Sequence, residues 1–154
     1  MILFDLQSYL CDLPLGELID DHLLCRYGAS TPALFVEQVE DVKVVRVAIN
    51  EQGSVGVEIK LSSIEGIISG DRIVVVGRLT QVLAMQGVRI ALVSCGDKDE
   101  ELSYHEPHNN LYSLSCKLAG DASQKLKLSL VKTNVTWSYS EFFIDEILIV
   151  REIH

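Results

Sequence analysis

The sequence lacks most of the short motifs that mark enzymes and metal proteins. It contains no glycine-rich phosphate loop, no His-Glu-x-x-His helix and no Gly-x-Ser-x-Gly turn. Its four cysteines include no Cys-x-x-Cys pair, so the close ligand spacing of a zinc site is missing as well. We therefore predict no catalytic activity, no cofactor and no metal. We also expect every cysteine to be a reduced core thiol. The cysteines are Cys11, Cys25, Cys95 and Cys116.

Long hydrophobic runs are also absent. No segment approaches the ~20 consecutive apolar residues that a membrane-spanning helix needs. The segment from Met1 to Asp21 lacks the basic start and the small-residue cleavage site of a secretion signal. These two absences lead us to expect a cytoplasmic protein that has no membrane partner.

Basic charge and aromatic rings are scarce where nucleic-acid binding would need both. The formal net charge is −9, and only the central residues 42–96 carry a small basic excess. Such acidity repels phosphate groups at long range. The chain has no Phe, Tyr or Trp between Val36 and Ser103, so its basic part lacks the rings on which single-stranded bases stack.

Helix signals are confined to the first part of the chain. Asp12 is a suitable N-cap, Pro14 suits a first turn and Gly28 suits a helix end, which together predict a helix over residues 12–28. A shorter helical piece is expected over residues 5–11. Both pieces carry apolar residues, so we expect them to pack on a larger surface.

From Pro32 onward, β-branched and other apolar residues alternate with polar ones, which is typical of strands. The alternation predicts three hairpins and a last strand: 42–49 with 55–61, 72–82 with 88–95, 112–118 with 126–130, and 142–153. We expect one folded unit with four parts: a helical N-terminal segment (1–31), a β-rich part (32–96), an acidic linker (97–110) and a β extension (111–154).

The glycines of the central part suggest a family. Gly70 and Asp71 precede one strand, Gly77 lies inside it, and Gly87 precedes the next. This pattern resembles the closing half of the oligonucleotide/oligosaccharide-binding (OB) fold, over about residues 32–96. The resemblance implies a mainly β protein: an OB-like five-stranded Greek-key barrel with an N-terminal helix and a C-terminal β-strand extension.

The OB resemblance, the acidity and the missing stacking residues together favour a non-catalytic adaptor subunit that acts through protein–protein contacts in an assembly handling nucleic acid. Trp137, Tyr139 and Phe142 are then the candidate partner-binding residues, because Trp and Tyr dominate interface hot spots. The same rings also fit a second hydrophobic core. A homo-oligomer is compatible with either interpretation.

Three other functions remain open. Direct binding of single-stranded DNA or RNA would use Arg46, Arg72 and Arg78 for phosphates and the C-terminal rings for bases. The ending Phe-Phe-Ile-Asp-Glu-Ile-Leu-Ile-Val resembles the last strand of jelly-roll carbohydrate-binding modules, which implies a β-sandwich with a sugar platform formed by Trp137 and Tyr139. The size and acidity also fit a secretion chaperone or a toxin immunity protein.

Overall fold

A computed structural model describes residues 1–19, 21–28, 33–49, 55–80, 89–95, 100–103, 110–118, 125–131 and 140–152. Within these ranges the chain forms strands, one α-helix, α1 (Leu6–Cys11), and one 3₁₀ helix, Leu61–Ser63. Strands β1 to β6 are Ile2–Asp5, Gly16–Glu17, Leu24–Gly28, Ala33–Val39, Val42–Ile49 and Val55–Lys60. Strands β7 to β12 are Arg72–Leu79, Arg89–Val93, Glu100–Ser103, Leu111–Lys117, Lys125–Val131 and Ser140–Val150.

The strands form two antiparallel sheets around one core. The first sheet has the order β10-β7-β12-β5-β4-β2, and β1 also pairs with β12. The second sheet has the order β3-β6-β11-β8-β9. Side chains from both sheets meet in a single buried cluster, and Leu6 and Leu10 of α1 join it. The mainly β fold expected from the sequence is confirmed, and its architecture is two packed sheets.

The closed five-stranded OB barrel is not formed, and that prediction is wrong. It required residues 72–82 and 88–95 to be antiparallel neighbours. Instead β7 pairs with β10 and β12 in the first sheet, while β8 pairs with β11 and β9 in the second. Alternation shows which face of a strand is apolar, but it does not show which strand lies beside it.

The other two predicted hairpins fail for the same reason. Strand β5 lies in the first sheet and β6 in the second, and β10 and β11 are divided in the same way. The strands themselves are present close to where the alternation placed them. Strands that follow each other in the sequence do pair in two cases, β4 with β5 and β8 with β9. A tight turn joins β4 to β5, and Glu40 in this turn has a positive φ of 57°. Strand β9 lies inside the segment predicted to be an acidic linker.

The N-terminal segment is less helical than expected. The short helix over residues 5–11 is confirmed as α1, and the Asp5 side chain caps it by accepting a hydrogen bond from the Gln7 amide at 3.0 Å. The longer helix over residues 12–28 is wrong, because β2 and β3 occupy part of that range. Asp21 forms a local turn before β3, since its carboxylate accepts hydrogen bonds from the amides of Leu23 and Leu24.

Residue 77 is a glycine because other groups lie too close to it for a side chain. The OB resemblance had instead attributed this glycine to a bend of the barrel. Gly77 is buried on the inner face of β7, directly opposite Tyr112 of β10. The Tyr112 hydroxyl donates a 2.8 Å hydrogen bond to the carbonyl oxygen of Phe143 on β12. A Cβ at residue 77 would clash with both of these groups. The glycine therefore makes room for a buried tyrosine that links three strands.

The cysteines are not all free thiols, contrary to expectation. Cys95 and Cys116 form a disulfide with a Cα–Cα distance of 6.4 Å, and both residues are buried. Cys116 lies on β10 of the first sheet and Cys95 follows β8 of the second, so the bond joins the two sheets. Cys11 and Cys25 are free. The sequence gives no sign of this pairing, because it depends on how the sheets pack.

Replacing Gly77 by alanine should lower the free energy of unfolding by about 1–3 kcal/mol, because the new methyl group overpacks the site under Tyr112. Tyr112→Phe should lower it by about 1–2 kcal/mol by leaving the Phe143 carbonyl without its partner. Urea denaturation measures both effects. Ser113→Ala on the exposed side of β10 is the control, and equal stability of all four proteins would contradict this packing.

Reduction of the Cys95–Cys116 disulfide should destabilise the protein by about 3 kcal/mol, since it opens a loop closed across 21 positions. Urea denaturation with and without a reductant gives this difference. A Cys11→Ser variant should show the same sensitivity to the reductant. Titration of four free thiols in unreduced, denatured protein would contradict the disulfide.

Candidate functional site

The outer face of the first sheet carries a row of alternating aromatic rings and arginines. Phe35 of β4 lies opposite Arg46 of β5, Arg46 opposite Phe143 of β12, and Phe143 opposite Arg78 of β7. We call these four residues the aromatic–arginine row. It runs across four adjacent strands, and each member is half-buried.

Each arginine of the row contacts a ring. The guanidinium carbon of Arg46 lies 4.3 Å from the ring centroid of Phe35, and that of Arg78 lies 5.6 Å from the ring centroid of Phe143. Both distances fall in the range of cation–π contacts. The rings and the guanidinium groups therefore form one continuous surface.

Carboxylates hold the two arginines in place. Arg46 pairs through Nε with Glu37 at 2.6 Å and through a terminal nitrogen with Glu141 at 3.2 Å. Arg78 donates hydrogen bonds to both carboxylate oxygens of Asp145, through Nε at 3.1 Å and through a terminal nitrogen at 3.2 Å. The arginine side chains are still 20% and 36% exposed. They are thus oriented polar groups that solvent reaches.

A β-bulge in β12 directs one of these carboxylates. The pairing of β12 with β7 shifts register between Ile144 and Glu146, which leaves Asp145 as the extra residue. Asp145 then contacts Arg78 on the outer face. Glu146, the next residue, accepts hydrogen bonds of 2.9 Å from the amides of Leu6 and Ile147. The bulge therefore organises both the row and the attachment of α1.

The carboxyl of Glu146 has a raised pKa. Partial burial raises the pKa of its carboxyl to about 7, and the neighbouring Asp5 carboxylate, through a hydrogen bond and charge repulsion, adds to the rise. The backbone amides that Glu146 accepts from oppose this rise only in part. Near neutral pH, the connection between α1 and β12 is therefore sensitive to protonation.

The structure brings together two of the three arginines predicted to contact phosphates, Arg46 and Arg78, and both have carboxylate partners. Arg72 lies at the far end of β7, where its side chain is 3.5 Å from the Ser115 hydroxyl. Phe142 is 0% exposed and points into the core, so it is not part of the exposed docking surface that we predicted. Trp137 and Tyr139 lie outside the described residues.

Sequence reasoning missed the rings that are on the surface. Phe143 directly follows Phe142, and successive side chains of a strand point to opposite faces, so burial of one places the other outside. Phe35 was missed because it stands just before the long segment without aromatic residues. The pairing of either ring with an arginine depends on strand order, which the sequence does not reveal.

The sequence also led us to expect no metal, no membrane partner and no catalytic activity. Among the residues that the structure describes, no group of three or more His, Cys, Asp or Glu side chains is placed to hold a metal ion. In the same ranges, no helix has the length and apolar character to cross a membrane. The absence of enzymatic activity stays a prediction.

Comparison with solved structures shows the fold. The chain is similar to the CBM22-1 xylan-binding domain from Paenibacillus barcinonensis Xyn10C, with a TM-score of 0.51 and 12% identity over 97% of this chain and 93% of that chain. It is also similar to the xylan-binding module CBM15, with a TM-score of 0.48 and 12% identity, covering 88% of this chain and 95% of that one.

A third similar structure is the CBM22-1 and GH10 part of Clostridium thermocellum xylanase 10B, complexed with xylohexaose. The TM-score is 0.47 and the identity 14% over 91% of this chain, which spans only 28% of that chain. No family model and no curated protein matches the sequence. The likeness to the Paenibacillus domain, at 12% identity, concerns the fold alone.

The protein should lose stability as pH rises from 5 to 8. A carboxyl whose pKa is raised by folding stabilises the folded state fully below its unfolded pKa of about 4.3, and this contribution disappears as pH passes about 7. Because Glu146 is partly in contact with solvent, we expect a loss of about 1 kcal/mol.

Glu146→Gln should remove most of this pH dependence, which urea denaturation at several pH values measures. The exposed Glu65→Gln is the matched control and should behave like the unmodified protein. An unchanged slope in the Glu146 variant would show that this carboxyl is not responsible.

Proposed function

We propose that the protein is a non-catalytic carbohydrate-binding module whose outer first-sheet face binds a glycan chain. The aromatic–arginine row is the observation that carries the proposal. The OB-based adaptor function has lost its structural premise, because the two sheets do not close into a barrel.

The chemistry of the row suits a sugar. A pyranose ring has C–H faces that pack on aromatic rings, and its hydroxyls both donate and accept hydrogen bonds. Phe35 and Phe143 supply rings, the two arginines supply donors, and Glu37, Glu141 and Asp145 supply acceptors. Small-ligand sites commonly combine apolar surface with a few fixed polar groups in this way.

Preorganisation supports the same proposal. Ion pairs already fix Arg46 and Arg78, so binding would restrict few additional side-chain rotations. Across the four strands, with neighbouring strands about 4.8 Å apart, the row is about 14 Å long. A surface of this length accommodates more than one sugar unit.

Phosphate is a less suitable ligand for the row. A nucleic acid would have to displace carboxylates from Arg46 and Arg78, on a chain of net charge −9. Neutral sugars meet no such repulsion. Direct binding of single-stranded nucleic acid is therefore the weaker alternative, and docking of a protein on Trp137 and Tyr139 stays a prediction.

The Cys95–Cys116 disulfide supports a proposal about location. Structural disulfides persist in oxidising compartments and are rare in the cytosol. The disulfide favours an oxidising compartment over the cytoplasmic location that we predicted from the sequence. The cytoplasmic location is retained as the untested alternative.

Isothermal titration with xylan and with other soluble glycans tests the function. Xylan is the first probe because the similar Paenibacillus domain is described as xylan-binding. Phe143→Ala and Arg78→Gln should each weaken binding by about tenfold, as expected for removing one packed ring or one charged hydrogen-bond donor. Thermal unfolding of each variant confirms that it is folded.

Arg26→Gln is the matched control, because Arg26 is exposed on β3 of the other sheet. It should bind as the unmodified protein does. Failure to bind any glycan would contradict the proposal, and so would binding that the row variants leave unchanged. A single-stranded oligonucleotide included in the same series separates the two ligand classes.

A further inference from the structure

A pocket of about 330 Å³ lies at the other end of β7 from the row, where β7 is flanked by β10 and β12. Its volume is within the range of roughly 300–1,000 Å³ that is common for small-ligand sites. The residues that line it include Gly70, Arg72, Lys117, Val150, Arg151 and Glu152. We call it the cationic pocket.

One charged pair in the pocket is structural. Asp71 is 1% exposed and accepts two hydrogen bonds from Arg151, at 2.8 and 2.9 Å, and one from the Ile68 amide at 2.8 Å. The hydrogen bond from Arg151 is the main cause that lowers the pKa of the Asp71 carboxyl. Asp71 and Arg151 therefore neutralise each other and shape the pocket.

Among the residues that the structure describes, the other two cations, Arg72 and Lys117, have no such partner. Arg72 and Lys117 lie directly opposite each other on β7 and β10, an arrangement in which like charges repel. Within the described ranges of the chain, no carboxylate forms an ion pair with either side chain. The Ser115 hydroxyl, 3.5 Å from Arg72, supplies only a weak contact.

We propose that Arg72 and Lys117 bind the carboxylate of an acidic sugar, a uronic acid, in the cationic pocket. This inference rests on the proposed carbohydrate binding and identifies the class of glycan. Among the described residues that line the pocket, three cations outnumber two carboxylates, Asp71 and Glu152, by one charge. A singly charged carboxylate balances that excess, whereas a doubly charged phosphate monoester would exceed it. The planar guanidinium of Arg72 also matches the planar carboxylate.

The pocket and the row lie on the same face. Arg72 and Arg78 are six residues apart on the outer side of β7, which places them about 20 Å apart along the strand. Val74 and Val76, both half-buried, lie between them on that side. A polysaccharide chain that covers the row with neutral units, turns at Arg78 and then follows β7 over Val74 and Val76 would place an acidic unit at the pocket.

Titration of the full chain with three ligands tests this inference. The ligands are a xylan bearing glucuronic acid substituents, the same polymer after chemical reduction of its carboxyl groups, and free glucuronate. At low salt the acidic polymer should bind about tenfold more tightly than the reduced one, because the charged hydrogen bonds are lost on reduction. Replacing Arg72 and Lys117 together by glutamine should abolish this preference and leave binding of the reduced polymer unchanged.

Arg26→Gln on the second sheet is again the control and should keep the preference. Equal binding of both polymers, unaffected by the double replacement, would overturn the pocket assignment and leave carbohydrate binding intact. Binding of glucuronate that depends on Arg72 and Lys117, without binding of either polymer, would support the pocket and contradict the proposed function. Binding of no ligand would overturn both. If the double replacement abolished binding of a single-stranded oligonucleotide instead, the site would belong to phosphate.

Discussion

The position of β12 within the first sheet is the constraint on which the rest of the structure depends. This strand pairs with β7 along one side and with both β5 and β1 along the other, so it joins the beginning, the middle and the end of the chain. Its inner face buries Phe142, Ile144, Ile147 and Ile149. The bulge at Asp145 then allows the outer face to hold Arg78 while Glu146 anchors α1.

The sequence predicted the local structure well and the pairing poorly. Alternation located most strands, and the β-branched C-terminal segment was correctly predicted to be a strand. Its position at the centre of the first sheet was not predicted. The three expected hairpins failed because the two strands of each pair lie in different sheets. A strand with one apolar face buries that face equally well in either sheet, so alternation does not reveal which sheet it joins. The glycine pattern behind the OB resemblance had another cause, since Gly77 makes room for Tyr112. The helix predicted over residues 12–28 does not form because β3, within that range, pairs with β6. Local sequence signals do not encode this pairing.

The candidate site depends on the same long-range pairing. Arg46 and Arg78 were selected from the sequence for their charge, but their carboxylate partners and the rings beside them come from other strands. Register alone places Phe35, Arg46, Phe143 and Arg78 in one row. The outer face has two parts that differ in charge balance. In the row, Arg46 and Arg78 are paired with carboxylates. At the cationic pocket, Arg72 and Lys117 have no ion-pair partner within the described residues. One part suits neutral hydroxyls and the other suits an anion, which a partly acidic polysaccharide would match.

The most direct test of this account is to locate the bound glycan on the protein. Titration of isotopically labelled protein with xylan oligosaccharides, followed by nuclear magnetic resonance, monitors the arginine side-chain and aromatic resonances separately. We expect the largest shifts on the outer face of the first sheet, at Arg46, Arg78, Phe35 and Phe143. Shifts confined to the second sheet, or no shifts with any glycan, would contradict it.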